Sequence, residues 1–390
     1  MIKILHIDFS APYSEDTTYQ ENLLPAAMAK AGNRVFMWTP CYKWDKGVIV
    51  KTNEGVKKLE NEVILHRFKF KYFFNDFFTR KIRKVDGLYK QLCRLDPDVI
   101  MLHSIQTLSA LDICEYIRRH PEKAFVADTH SDHHNSARGI LSKYILHRII
   151  YRHVARKVQN CVKYLYYITE ETKDFVIKEY GLDKEKLKFL PLGGNLLSEY
   201  EYQKLRSKIR MELGIEEETL LFLHTGKLDK LKKTDTLLRA FSKADRKNIR
   251  LIILGSCDKE MESIIQSKLK DKKNSQRITY LGWKNGEELL QFLCGADVYV
   301  QPGGQSATFQ NAICCRCALI CYPHKSYLES FIDGNAILAS DEKELLDAIN
   351  FLADNPGQVK VMSKKSGELA AEKLDYGKQG EMILQDAGCL

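Results

Sequence analysis

The sequence predicts an α/β protein built from two doubly wound, parallel-sheet domains. Three observations carry this expectation. Short apolar runs alternate with helix-length segments over all 390 residues, Pro191 and the pair Gly193-Gly194 interrupt the alternation near its midpoint, and it then restarts with the same rhythm. Strands covered by helices on both faces read as continuous apolar runs, and such strands are parallel. At roughly 150 residues per domain, the length suits two or three domains.

In chain order, Ile2 to Phe9 reads as the first buried strand, and Tyr19 to Ala31 as a helix stopped by Gly32. Further strands are expected at Arg34 to Trp38, Val63 to Leu65, Asp98 to Leu102, Ala124 to Asp128 and Tyr164 to Thr169. After the break at residues 189–195 come Leu220 to His224, Leu251 to Leu254, Ile278 to Leu281, Val298 to Val300, Ala318 to Cys321 and Ala336 to Leu338. The expected boundaries are 1–195 for the first domain, 196–366 for the second, and 367–390 for a closing helix that packs back on the first. In sheets of this kind ligands bind beyond the carboxyl ends of the strands, and two such domains would face each other across a binding cleft.

Composition narrows the function classes. Apolar residues make up 44% and charged residues 28%, so a largely disordered chain is excluded. No apolar run reaches the roughly 18 residues of a spanning helix, and the N-terminus lacks a secretory apolar core. Eleven cysteines, an odd number scattered over a long chain, read as reduced thiols. A cytoplasmic protein is expected. The net charge is +9, yet His66 to Arg94 holds nine Lys or Arg against two acids, and Arg138 to Gln159 holds six and no acid. More than the whole net charge therefore resides in two segments.

Two motifs sit at predicted strand ends. His224-Thr225-Gly226-Lys227 leads into Lys230, Lys232 and Lys233, placing cations at the sheet edge, where they suit phosphate oxygens or are simply a solvated loop. Pro302-Gly303-Gly304-Gln305-Ser306-Ala307-Thr308 follows the strand ending at Val300, and reads either as an anion-binding turn into a helix or as an ordinary strand-to-helix turn. Neither is a Walker loop, and no G-x-G-x-x-G occurs.

In order and spacing these features resemble the retaining glycosyltransferases of family 4, which have the GT-B fold of two Rossmann-like domains. The resemblance spans nearly the whole chain. Gly226-Lys227, five residues, then Lys233-Thr234 matches the family's opening cationic motif; Leu251 to Gly255, Leu281-Gly282-Trp283, Ala296 to Val300 and Glu329 to Asp333-Gly334 follow in family order. Two departures stand out. The second Glu of the family's Glu-x7-Glu pair is replaced by Asn311, and the first has no clear counterpart in a loop that looks shortened by three residues. The family's first Gly-Gly loop falls here on Glu15-Asp16, a poor neighbour for a diphosphate. A Pro-Gly-x-x-Ser loop followed by Gln310-Asn311-Ala312 is similar to variants encoded with polysaccharide-assembly genes.

The resemblance implies metal-independent transfer from a UDP- or GDP-sugar to a glycan or lipid-linked oligosaccharide in surface polysaccharide synthesis. It assigns the diphosphate to Lys227 and Lys233, with Thr225, Gly226, Gly303, Gly304, Gln305, Ser306, Ala307 and Thr308 around the donor. Asn311 would contact the ribose and Trp283 would flank the base, while Glu329 belongs to the same donor-binding set. His130, in Asp128-Thr129-His130, takes the family's functional histidine position as a positioning group.

Rival readings remain for the same residues. Asp128, His130, Asp132, His133 and His134 resemble a metal cluster, although adjacent histidines converge poorly on one ion. Cys314, Cys315, Cys317 and Cys321 contain a C-x-x-C but fall where core packing is expected. The basic, aromatic stretch from Phe68 to Lys81 suits an anionic membrane surface better than nucleic acid. With it goes an apolar face of Leu141, Ile145, Ile149 and Val158 in the second basic segment, so a peripheral place on the inner membrane face is expected, and no nucleic acid. A nucleotide-sugar 2-epimerase of the same fold and a non-catalytic partner subunit are the alternative functions.

Overall fold

The computed structural model describes residues 1–390 except 16, 18, 46, 47, 134, 135, 137–141, 195 and 307. The chain divides into two compact units, Met1–Pro191 with Tyr376–Leu390, and Leu192–Asp375.

The first unit contains β1 (Lys3–Asp8), β2 (Arg34–Pro40), β3 (Tyr42–Asp45), β4 (Val48–Lys51), β5 (Gly55–Lys58), β6 (Ile64–Phe68), β7 (Val99–His103), β8 (Ala124–Thr129), β9 (Leu165–Tyr167) and β10 (Leu187–Phe189). Eight of these form one sheet in the order β10-β9-β8-β7-β1-β2-β6-β5, and β3 pairs with β4 in a separate hairpin. Every pairing in the large sheet is parallel except that of edge strand β5 with β6. Side chains alternate across a strand, so neighbouring residues feed different cores. Leu5, Ile7, Ile100, Leu102 and Phe125 pack on one face, and Ile4, Met37, Met101 and Val126 on the other.

The helix Tyr376–Ala387 covers the second of these faces beside Gln20–Lys30. Gly380 permits the close crossing, since a Cβ there would lie 2.9 Å from Met28 Cγ. Asp386 anchors the helix by accepting from Tyr166 Oη at 2.7 Å and from Lys188 Nζ at 2.6 Å. The segment beginning at Gly367 is not one closing helix. Pro356–Leu369 belongs with the second unit, where Val359 and Met362 join its core, and the helix of the first unit starts at Tyr376.

The second unit is a six-stranded parallel sheet in the order β13-β12-β11-β14-β15-β16. Its strands are β11 (Leu220–Thr225), β12 (Ile249–Leu254), β13 (Ile278–Tyr280), β14 (Val298–Gln301), β15 (Ala318–Cys321) and β16 (Ala336–Leu338). Asp297, within the Ala-Asp-Val-x-Val run, is structural. It accepts from Arg206, from Arg210 at 3.0 Å and from the Leu221 amide at 2.8 Å, tying the helix Glu199–Glu212 to the sheet. Cys314, Cys315, Cys317 and Cys321 are buried, as small apolar side chains are.

One expected apolar face is divided. Ile145 and Ile149 are exposed while Val158 is buried, and Leu141 lies outside the described residues. Residues 142–151 form a π-helix that passes into the α-helix Arg152–Gln159, and the change of pitch puts Val158 on a different side from Ile145 and Ile149.

Candidate functional site

At the carboxyl edge of the second sheet, β11 and β12 both end in glycines with positive φ, Gly226 (136°) and Gly255 (141°). A Cβ on Gly255 would lie 1.8 Å from the Gly226 carbonyl oxygen, so the two turns can approach only without side chains. The chain then makes a short 3-10 turn, Lys230–Lys232, in which the Leu231 and Lys232 amides donate to Asp229. Lys233 follows in the left-handed region (φ 52°) and opens the helix Thr234–Lys243. His224 locks this corner: Nδ1 donates to Val300 O at 2.8 Å and Nε2 accepts from Thr234 Oγ1 at 2.9 Å. Burial drops its pKa to about 4, so the ring is neutral and this tautomer is retained near pH 7.

The lysines of this loop have separate tasks. Lys230 is ion-paired with Glu260 at 3.3 Å. Lys232 is half-buried and donates to the carbonyls of Gly304 (2.9 Å) and Gln305 (2.6 Å); burial pushes its pKa down. Lys233 Nζ sits 4.5 Å from the centre of the Tyr322 ring. Among the described residues neither Lys227 nor Lys233 is paired with a carboxylate, so both charges are available to a ligand.

The Gly-Gly loop is stitched to the lysine loop. Gly304 N donates to Leu231 O at 2.7 Å, Gln301 Nε2 donates to Gly304 O at 2.8 Å, and His324 Nε2 donates to Gly303 O at 3.1 Å. Tyr327 Oη accepts from the Ser306 amide at 3.1 Å, and Gln305 Nε2 donates to Ser326 Oγ at 2.8 Å. Thr308 begins the helix Thr308–Cys314, on which Asn311 is half-buried. Ala307 lies outside the described residues. Thr225, at the end of β11, is buried against Tyr299 Oη at 3.1 Å. Trp283 is 70% exposed, and Glu329 is an exposed helix residue 3.9 Å from Lys325. The structure thus brings Gly226, Lys232, Lys233, Gly303 and Gly304 together.

This packing makes the two glycines unequal. A Cβ on Gly303 would lie 2.1 Å from Leu231 O, whereas one on Gly304 meets nothing closer than 3.5 Å. Gly303→Ala is expected to cost about 1–3 kcal/mol of stability and Gly304→Ala far less, as read by urea denaturation. Equal costs would contradict the stitched loop.

A separate hollow of about 580 Å3 in this unit touches Lys233 but not the Gly-Gly loop. Asp235, Asp258, Glu260, Asp341 and Glu342 line it against Lys230, Lys233 and Arg239, and this excess of carboxylates disfavours a diphosphate there.

In the first unit, β8 delivers Asp128 and His130 to the carboxyl edge. Asp128 is fully buried and accepts from His103 Nδ1 at 2.9 Å and from the Ser104 amide at 2.7 Å. His130 Nε2 lies 3.3 Å from the oxygen that accepts from Ser104. His103 Nε2 is 3.0 Å from His6 Nδ1, whose ring meets Met28 Sδ at 3.2 Å. Burial opposes charge on all of them, but opposite charges win at the centre. Burial alone would raise the Asp128 pKa, yet the charges of His130 and His103 hold it far below the usual carboxylate range. Burial alone would lower the histidines, but the Asp128 carboxylate raises His103 and lifts His130 to about 9. His6, fully buried and next to His103, is pushed well down and stays neutral. The result is a chain in which His103 bridges Asp128 and His6, with His130 cationic at the open end.

His133 lies edge-on to Phe175 at 4.9 Å, and His134 lies outside the described residues. Among the described residues no three His, Cys, Asp or Glu side chains are arranged to hold a metal ion. Glu15 is turned into an ion pair with Arg67 at 3.0 Å, and Asp16 lies outside the described residues. Sequence reasoning assigned no role to Gln301, Tyr322 or Tyr327 and grouped Lys232 with the cations suited to phosphate; a lysine among lysines carries no signal of which one faces the protein.

Residues 206–368, somewhat under half of the chain, match the model of the family Glycosyl transferases group 1. A glycosyltransferase described as uncharacterized, MJ1069 of Methanocaldococcus jannaschii, is 23% identical over 228 residues, covering 55% of each chain. The alignment therefore spans about half the length of that relative. Among solved structures, Anabaena Alr3699/HepE in complex with UDP is similar over 100% of both chains, with TM-score 0.68 and 12% identity. WaaG, a glycosyltransferase involved in lipopolysaccharide biosynthesis, is similar over 98% of this chain and 99% of its own, with TM-score 0.63 and 14% identity.

Proposed function

We propose that this chain, a GT-B-fold protein whose residues 206–368 form a glycosyl transferases group 1 domain, transfers a sugar from a nucleotide-diphosphate sugar with retention of configuration. The observation that carries the reading is Lys233, an ammonium with no carboxylate partner among the described residues, on the loop whose Lys232 binds a Gly-Gly turn also tied by Gln301 and Tyr327, with exposed Lys227 directly after Gly226. Such a site suits a UDP or GDP diphosphate, with Asn311 on the ribose. The match with a UDP-bound structure points the same way.

In the proposed step the bond from the sugar C1 to the diphosphate oxygen breaks. The acceptor oxygen bonds to C1 on the same face, and its proton passes to the departing diphosphate. No side-chain nucleophile or metal is required. Lys227 and Lys233 stabilise the negative charge that develops on the leaving group, which is where preorganised charge lowers a barrier most. Cationic His130 acts as a positioning donor.

The proposed acceptor is a glycan or lipid-linked oligosaccharide of surface polysaccharide synthesis, used at the cytoplasmic face of a membrane. Exposed Tyr72, Phe74, Phe77 and Phe78 among the basic residues of 66–94 support peripheral contact. Segment 138–159 supports it less, because Arg148 is held by Glu179 at 2.9 Å and Arg156 by the Tyr180 carbonyl. No helix among the described residues is long and apolar enough to cross a membrane.

A thermal-shift panel with UDP, GDP, ADP and CMP, each with and without EDTA, tests the donor site. A nucleotide at 100 times its Kd adds about 2.7 kcal/mol of stability. One uridine or guanosine diphosphate should raise the melting temperature with or without EDTA. Absence of any shift would remove the donor assignment, and a shift abolished by EDTA would overturn metal independence.

A further inference from the structure

The first unit holds its own concavity of about 230 Å3, where aromatic walls (Tyr42, Phe70 and Phe77) meet three cations (Arg80, Lys81 and Arg83). Among the described residues that line it there is no carboxylate. The acids flanking the three cations are ion-paired, Asp76 with Lys51 at 3.0 Å and Asp86 with Lys71 at 3.4 Å, and Asp8, next to Phe9, accepts from the amide and hydroxyl of Ser10 at 2.8 and 2.7 Å.

The cations are also left with positive charge to spare. Among the described residues Arg83 donates only to neutral carbonyls, those of Arg80 at 3.0 Å and Gln106 at 2.8 Å. Arg80 Nε is buried without a hydrogen-bond partner. The Lys81 ammonium is only loosely placed over the Phe77 ring, 5.8 Å from its centre. Burial and then the charges of Arg83 and Arg80 push its pKa down, the signature of cations crowded without a counter-charge. Half-buried, unmatched charge raises the free energy of the empty protein, and an entering anion relieves it.

We propose that this pocket binds the phosphate or diphosphate end of the acceptor, with an apolar or ring-bearing group beside the phosphate lying on Phe70 and Phe77. The inference rests on the glycosyl-transfer reading and adds the acceptor's chemical class. Arginine and lysine together suit phosphate oxygens, the first through its fork of donors and the second as a point charge. The aromatic faces reject a fully hydrated inorganic ion in favour of an amphipathic one. The volume is below the roughly 300–1,000 Å3 of pockets that enclose a drug-sized ligand. It therefore takes only the charged end of a larger molecule.

The test is calorimetric titration of the full chain with phenyl phosphate, inorganic pyrophosphate and benzyl alcohol. Phenyl phosphate should bind more tightly than pyrophosphate, and benzyl alcohol should not bind detectably. Arg80→Gln with Lys81→Gln should weaken phenyl phosphate at least tenfold, whereas Lys57→Gln with Lys58→Gln, on exposed β5, should leave it unchanged. Phe77→Ala, at a solvent-exposed position, should erase the preference for phenyl phosphate while leaving pyrophosphate binding intact. Lys227→Ala with Lys233→Ala separates the two sites: it should abolish nucleotide binding and spare phenyl phosphate. Loss of phenyl phosphate in that variant, or its retention in the Arg80/Lys81 variant, overturns the proposal without touching the donor assignment. Binding to vesicles containing phosphatidic acid, with no binding of phenyl phosphate, would also overturn it and assign these cations to a lipid surface.

Discussion

Lys233→Ala is expected to lower sugar transfer by about 10²–10³-fold, the loss typical when one preorganised charge-stabilising donor is removed. The lysine is held by its backbone at the start of the helix Thr234–Lys243, and its ammonium rests over Tyr322 with no carboxylate partner among the described residues. Little of its interaction energy is spent within the protein, so the melting temperature should hardly change. A companion variant separates role from fold. Lys233→Gly relieves left-handed backbone strain of about 1–2 kcal/mol and gives back part of that gain as unfolded-chain entropy, so the folded state should be as stable as the parent or better. It should be as inactive as Lys233→Ala. Initial rates with UDP- and GDP-sugars, together with melting curves, check both variants. Undiminished transfer by either would sink the diphosphate assignment.

Asp128→Asn is expected to cost about 3–5 kcal/mol, because removing one partner of a buried charge pair strands the other. Asn would keep one acceptor oxygen for two donors, His103 Nδ1 and the Ser104 amide, and the buried His103 would lose the neighbouring negative charge. His130 keeps 31% of its side-chain surface, so solvent screens its share and most of the loss falls on the Asp128–His103 contact. The pH dependence follows from the signs. His130 is raised from 6.5 to about 9 in the folded protein, so its contribution is complete below about pH 6.5 and is lost as pH rises through about 9. Asp128 is lowered, so its contribution is present above pH 3.8 and is lost only as the solution becomes strongly acidic. Urea denaturation of parent and variant from pH 5 to 10 should show the parent's alkaline decline, and the variant should lack it. Histidine NMR should place the variant's His130 pKa near or below 6.5. A variant that kept a histidine titrating near 9 would show that Asp128 does not set the charge of His130.

Much of the architecture was legible because it is written locally. All six strands of the second sheet and the six expected strands of the first lie where apolar runs occur, with ends shifted by a few residues. The missed strands have a common cause. β5 is exposed along its whole length, β3 and β4 form a hairpin largely outside the core, and β10 has three residues, so none presents a buried run. The π-helix at 142–151 was equally illegible, because apolar spacing is read on the assumption of 3.6 residues per turn.

By itself, then, the sequence determined the two parallel sheets, their helices and the strand ends at which the lysine loop, the Gly-Gly loop and the Asp-Thr-His segment emerge. Burial of apolar runs is additive along the chain, and positions at strand ends follow from it. Only the tertiary structure decided which side chains are free to act. It turned Lys232 inward to hold Gly304 and Gln305 and left Lys233 uncommitted, and it placed His103, 25 residues from Asp128, against that carboxylate. It also gathered Arg80, Lys81 and Arg83 around one aromatic hollow without a counter-charge. Charge and hydrogen bonding depend on distance in space, and residues far apart in the chain become neighbours only when the sheets have formed.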